Sequence, residues 1–163
     1  MLQQLTLHQL LGIHKEIGQA TFSSIQEEVI VNVHYTSNWL RDEVSEILSK
    51  HKLQVQHYNV LRIVNGKAPA FSSPSYIKSV MIDKKRDLTR LVDKLVKQEL
   101  LSRKTCPENR RRVDINITPK GAQLAQELKL ELSAKIDKIV QLSQEEAELL
   151  SRLLDKLRSI PAS

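Results

Sequence analysis

The residues of this sequence best suited to chemistry are two groups of fixed positive charge, and the chemistry is the holding of a polyanion. Arg86, Arg90 and Lys94 recur every four residues, with Thr89 beside them and Lys97 one turn further on. At about 100° per residue this places them on one side of a helix. The second group is the unbroken run Arg110, Arg111, Arg112, close to Pro107 and Asn109, whose types suit a tight turn. Three adjacent arginines at an exposed tip repel one another unless a polyanion faces them. Arg is also the side chain that grips phosphate or guanine through two parallel N–H donors.

Other chemistries find less support. His8, His14, His34, His51 and His57 include no pair at the i, i+4 spacing of a helical metal site and have no nearby Cys. The single Cys106 excludes an internal disulfide and any all-Cys metal site within one chain. It stands beside Arg103 and Lys104, which favour a thiolate, but reads as an inert thiol. Ser75-x-x-Lys78 matches the string of penicillin-recognising enzymes without the accompanying motifs. There is no phosphate-cradling Gly loop and no Gly-x-Ser-x-Gly elbow. The chain is expected to be no enzyme, and to carry no cofactor and no metal.

The elements that must position the arginines follow from the apolar spacing. Leu88, Leu91, Val92, Leu95 and Val96 form the stripe opposite Arg90 and Lys94, which predicts an amphipathic helix over about 86–98. Val113, Ile115 and Ile117 alternate with Arg112, Asp114 and Asn116, the period of a strand with one buried face. Together with Ser102 to Thr105 they predict a basic-tipped hairpin over about 102–118. Thr118-Pro119 then opens another helix, as N-cap and first-turn proline. Ahead of the cationic helix, Ser73-Pro74 starts a short helix over Ser75 to Ile82 with Ile77, Val80 and Met81 inward. Asp83 to Lys85 make the turn, and short helix, turn, helix is a helix-turn-helix.

Upstream, residues 1–20 carry a weak pattern that fits a short amphipathic helix or an ordered arm. Ser24 to Lys50 predicts a long helix through the β-branched run VIVNVHY, because helical periodicity continues on both sides of it. Gln54 to Asn65 predicts a central helix, with Gly66 as its C-cap and Lys67 to Ser73 as a loop. Downstream, Lys120 to about Leu142 is a long helix, and Ser143-x-x-Glu146 is a capping box that starts another, with Leu149, Leu150, Leu153, Leu154 and Leu157 in helical spacing. The fold class is therefore mostly α with a small β-hairpin wing. The organisation is a winged helix-turn-helix at 53–121 between N-terminal helices at 1–52 and C-terminal helices at 122–163.

Charge follows this division. Lys50 to Lys120 hold 17 Lys or Arg against 6 Asp or Glu, an excess of 11; the remaining residues hold 8 against 13, a deficit of 5, which returns the net charge of +6. Concentrated positive charge is the footprint of a nucleic-acid surface, where neutralised phosphates release counterions. A membrane-surface helix would need bulky apolar residues opposite the charge on one exposed helix, and here those faces are committed to a core. No stretch reaches 18 apolar residues, and the first residues lack a basic leader region, so the expected setting is the cytoplasm. The leucine stripes of the terminal helices exceed what one small domain covers, which predicts burial against a second copy.

These motifs resemble the winged helix-turn-helix of the MarR family of bacterial regulators. Thr89-Arg90-Leu91-Val92-Asp93-Lys94-Leu95 is similar to that family's recognition helix. Asn109-Arg110-Arg111 followed by the alternating strand and Thr118-Pro119-Lys120-Gly121 resembles its wing signature. Asn109 stands where the family has Asp, and Glu99 where it commonly has a helix-ending Gly. The resemblance implies a homodimer joined through its terminal helices, binding double-stranded DNA at a pseudo-palindromic site as a transcriptional regulator, a repressor by expectation. In it Arg86, Thr89, Arg90 and Lys94 would reach the groove and its bases. Ser75, Tyr76, Lys78, Lys84 and Lys85 would position the unit on phosphates, and Arg111 would enter the minor groove with Arg110 and Arg112 beside it. It implies also a small-molecule effector between the dimer body and the winged unit, for which His34, Tyr35, Trp39 and Tyr58 are candidates. The alternative is a winged helix that docks an acidic protein partner without reading DNA.

Overall fold

The computed structural model describes residues 12–105 and 113–159; residues 1–11, residues 106–112 with Cys106 and Arg110 to Arg112, and residues 160–163 lie outside them. Local chemistry sets the element starts. Helix α1 (Ile13–Ile17) ends at Gly18, whose φ of 66° is the left-handed cap that glycine adopts cheaply. Helix α2 (Ile25–Ser49) begins where Ser24 Oγ accepts the Glu27 amide at 3.1 Å, and it runs unbroken through VIVNVHY. Helix α3 (Val55–Lys67) is followed by α4 (Pro74–Val80), capped by Ser73, and α5 (Leu88–Lys97), capped by Asp87.

Strands β1 (Leu101–Thr105) and β2 (Val113–Ile117) pair antiparallel with Leu101 opposite Ile117 and Arg103 opposite Ile115. The far edge of β2 is covered by one residue of the α3–α4 loop: Ser72 and Ile115 exchange backbone bonds of 2.9 and 3.0 Å. Thr118 then caps α6 (Pro119–Ile139), and the reciprocal capping box of Ser143 and Glu146 starts α7 (Gln144–Arg158).

The core gathers around α3, which touches α2, α4, α5, α6 and β2. Its Val60, Leu61 and Val64 pack with Leu48, Ile77, Leu95, Leu101, Ile115 and Leu128, all shut off from solvent. Alongside it, α2 and α6 are clamped by Lys135, whose Nζ lies 2.6 Å from Glu43 and 3.4 Å from Glu46. Helix α7 buries none of its residues in this core: Leu149, Leu150, Leu153 and Leu157 stand about half exposed.

Three expectations need correction. Gly66 does not cap α3, which continues to Lys67 with Ala68 as cap; Gly66 has no positive φ, so its freedom is not used there. Val80 is not inward but 45% exposed, because α4 stops at Val80 and Met81, in extended conformation, takes the core position instead. Helix α6 closes at Ile139 rather than near Leu142, with Val140 extended.

Candidate nucleic-acid interface

Helix α5 owes its orientation to its own sequence. Leu88, Leu91, Val92 and Leu95 are buried against the core, which leaves Thr89, Arg90, Asp93 and Lys97 exposed and Lys94 half-buried at the helix edge. At about 25 cal/mol per Å2 of apolar surface, burying four such side chains outweighs any pairwise charge term on the exposed side. Asp87 Oδ1 accepts the Arg90 amide at 3.3 Å, and its carboxylate lies 3.4 Å from Arg90 Nε, leaving the guanidinium largely in solvent.

The turn into α5 is braced by one carboxylate. Asp83 holds Arg86 Nε at 2.9 Å and the Lys85 amide at 3.2 Å. These bonds keep the Asp83 carboxyl below its usual pKa, the Arg86 hydrogen bond being the largest cause. Lys78 reaches across from α4 and donates to the Arg86 backbone carbonyl. Lys78 is therefore a strut between the two helices of the motif, whereas Lys84 and Lys85 stand exposed in the turn. Ser75 and Tyr76 are exposed on the first turn of α4; Lys67 sets its ammonium 3.8 Å from the centre of the Tyr76 ring. That cation–π contact fixes a ring that sequence reasoning left free, and no local spacing signals it.

The far end of α5 is closed by a paired backbone motif. The Leu100 amide bonds to the Leu95 carbonyl and the Glu99 amide to the Val96 carbonyl, each at 2.9 Å, with Glu99 at a φ of 62°. This is the left-handed C-terminal cap that glycine normally fills. The Leu100 carbonyl then lies so near Gly121 that a Cβ there would sit 2.0 Å from its oxygen. Thr118 Oγ1 adds bonds to the Glu99 and Leu100 carbonyls at 2.7 and 3.1 Å. Thr118-x-x-Gly121 is thus a latch that holds α5, the β-hairpin and α6 at one corner.

On the wing, Arg103 of β1 reaches back to Asp93 of α5 at 2.7 Å, a link the sequence reading missed. Of the twelve residues expected to meet DNA, Ser75, Tyr76, Lys84, Lys85, Arg86, Thr89, Arg90, Lys94 and the strut Lys78 fall on the helix-turn-helix; Arg110, Arg111 and Arg112 lie outside the described residues. No group of His, Cys, Asp or Glu that could hold a metal occurs among the described residues.

His57, which read as an ordinary histidine, also belongs to this region. It is buried in the first turn of α3, and its Nδ1 accepts the Gln54 amide at 3.0 Å. Burial first, and the Lys94 ammonium second, hold its pKa below the usual histidine value. Adjoining this region across Gln56, α3 borders a cavity of about 280 Å3, lined by Leu40, Arg41 and Val44 of α2, Val55, Gln56 and Asn59 of α3, and Met81 and Asp83. Asn59 Oδ1 accepts the Ile82 amide at 3.1 Å while its Nδ2 has no partner. His34, Tyr35 and Trp39 are exposed along α2 and Tyr58 is half-buried on α3; none of these four lines the cavity.

No family model matches the chain. The chain is 28% identical over 138 residues to the HTH-type transcriptional regulator MhqR of Bacillus subtilis, covering 84% of this chain and 92% of that one. A MarR transcription factor from Planctomyces limnophilus superposes with a TM-score of 0.65 at 28% identity, covering 83% of this chain and 98% of the other. A mutant MarR from E. coli complexed with operator DNA superposes at 0.66 with 24% identity, covering 84% and 100%. The fold is that of the MarR-type winged-helix regulators, and the sequence resembles theirs over most of its length.

Proposed function

We propose that this chain, which has the MarR-type winged-helix fold, is a homodimeric, sequence-specific DNA-binding transcriptional regulator, acting as a repressor. The observation that carries the reading is the outward face of α5: a helix held by four buried apolar side chains turns Thr89, Arg90 and Lys94 away from the core, with Arg86 one turn ahead. The E. coli relative that carries this fold was determined on operator DNA. In this proposal α5 enters the major groove, Arg86, Thr89 and Arg90 face bases, and Arg111 with its neighbours follows the minor groove. A well-formed two-bond Arg–guanine contact discriminates by roughly 1–3 kcal/mol.

Dimerisation is supported by the terminal helices. A helix with Leu149, Leu150, Leu153 and Leu157 all about half exposed has not finished burying its apolar face. Two copies of α7, with α1 and α2, would complete it and set two reading heads about 34 Å apart on a pseudo-palindrome. The cavity between α2 and α3 touches Met81 in the turn before α5, so a small apolar effector there would bear on the reading head. That cavity is proposed as an effector site alongside the cluster of His34, Tyr35, Trp39 and Tyr58. No described helix is long and apolar enough to cross a membrane, which fits a cytoplasmic regulator.

Titration of a duplex tests the reading. Duplex binding at low salt that weakens steeply as salt rises, and that is reduced by Arg90→Ala and by Arg111→Ala, is the expected result. Salt-insensitive or absent duplex binding would favour a module that docks a protein partner.

A further inference from the structure

We propose that the cleft between the first turn of α3 and the edge of α5 seats one phosphate of the duplex backbone, gripped by Lys94 and the side-chain amides of Gln54 and Gln56. Lys94 then fixes the position of the protein on the duplex and reads no base. The proposal rests on the DNA-binding reading above and adds α3 to the elements that touch the duplex.

The cleft has a volume of about 450 Å3 and is lined by Gln54, the N-cap of α3, by Gln56 and His57 of α3, by Arg86 in the turn before α5, and by Arg90 and Lys94 of α5. Its only lining acid, Asp87, is already engaged with the Arg90 amide and guanidinium at 3.3 and 3.4 Å. Arg86 is held by Asp83 at 2.9 Å, while Lys94 has no acidic partner among the described residues. Because His57 Nδ1 accepts a backbone amide, its neutral ring carries the proton on Nε2 and is a donor rather than an acceptor there. A cleft whose polar groups are amides, an imidazole N–H and an unbalanced ammonium suits an oxyanion.

Placement makes that anion a backbone phosphate. Arg90 and Lys94 follow the edge of α5 that faces α3, with Arg86 in the turn before it, whereas Asp93 is tied to Arg103 on the wing side. A helix lying in a major groove about 12 Å wide offers its outermost line to the bases and its two flanks to the two backbones. Lys94 is half-buried in the α3 flank, so its charge stays with that strand. Arg90, whose side chain is 89% exposed, extends out of the cleft toward the base edges.

The decisive variant is Gln56→Glu. It puts a carboxylate in the cleft at the second residue of α3, where an acid favours the helix and folding is not penalised. Fluorescence-anisotropy titration would compare it and Lys94→Gln with the wild type on a selected duplex and on a scrambled duplex of the same length. The expected result is that Gln56→Glu weakens both duplexes by the same factor, about tenfold, with their affinity ratio unchanged. Lys94→Gln should lower the slope of log affinity against log salt by about one. Wild-type affinity in both variants, or a loss confined to the selected duplex, overturns the phosphate seat while leaving the DNA-binding reading intact. A wild type that binds neither duplex overturns both.

Discussion

Adding one methyl group at Gly121 should cost the protein a measurable part of its stability and more of its DNA affinity. The Cβ of Gly121→Ala would lie 2.0 Å from the Leu100 carbonyl oxygen and 2.9 Å from its carbon, with Ile117 Cδ1 at 3.2 Å. The obstacle is backbone, and that backbone is fixed by three bonds: the Leu100 amide to Leu95, the Thr118 amide to Leu100 and Thr118 Oγ1 to Leu100. Nothing there is the end of a flexible side chain, so the corner must open by about an ångström. Overpacking of a well-packed site costs about 1–3 kcal/mol, and a clash with backbone belongs at the upper end. Alanine recovers up to about 1 kcal/mol in helix propensity. The net loss is about 2 kcal/mol, which lowers Tm by roughly 4–8 °C in a chain of this size. Scanning calorimetry reads the shift. Because the same corner closes α5 and starts β1, duplex affinity of the folded variant at 20 °C should fall as well. An unchanged or raised Tm would refute the reasoning.

Two further outcomes follow from the same contacts. His57 has a folded pKa below its unfolded value of about 6.5, so the unfolded chain takes up its proton first; the His57 contribution is fully present above that pH and is lost as pH falls through the folded value. In urea unfolding between pH 7.5 and 5, His57→Gln, which can still accept the Gln54 amide, should lose less stability than the wild type, and identical pH slopes would contradict this. Leu150→Glu with Leu153→Glu, at positions 46% and 52% exposed in the single chain, should leave the helical circular dichroism intact and halve the mass in sedimentation equilibrium; an unchanged mass would remove α7 from the dimer interface.

Much of this architecture could be read from the chain because it is written locally. The body of α5 follows from the apolar stripe Leu88 to Leu95, although the Asp87 cap starts it at Leu88 and leaves Arg86, expected inside it, in the turn. The starts of α2, α4, α6 and α7 follow from Ser24, Ser73, Thr118 and Ser143 within a few residues. Helix ends were less legible. Gly66 carries the composition of a cap, but the helix ends where the chain meets Pro69, and no residue type announces which turn is last. The inward face of α4 was misjudged at Val80 because a seven-residue helix has too few apolar positions to define its phase. The ties that shape the interface are long-range: Asp93 to Arg103, Ser72 to Ile115, Lys67 to Tyr76 and Leu100 to Gly121. Periodicity gives no sign of them. The cleft beside Lys94 was hidden for the same reason, since Gln54 and His57 are unremarkable until α3 is laid against α5.

The central claim is that paired copies of α5 read two neighbouring turns of a duplex, and selection of bound sequences from a random duplex pool tests it most directly. The expected result is two inverted half-sites whose centres lie about 10 base pairs apart, with guanine enriched where Arg86 and Arg90 meet the groove. A single unpaired half-site, or recovery of sequences with no common pattern, would contradict it.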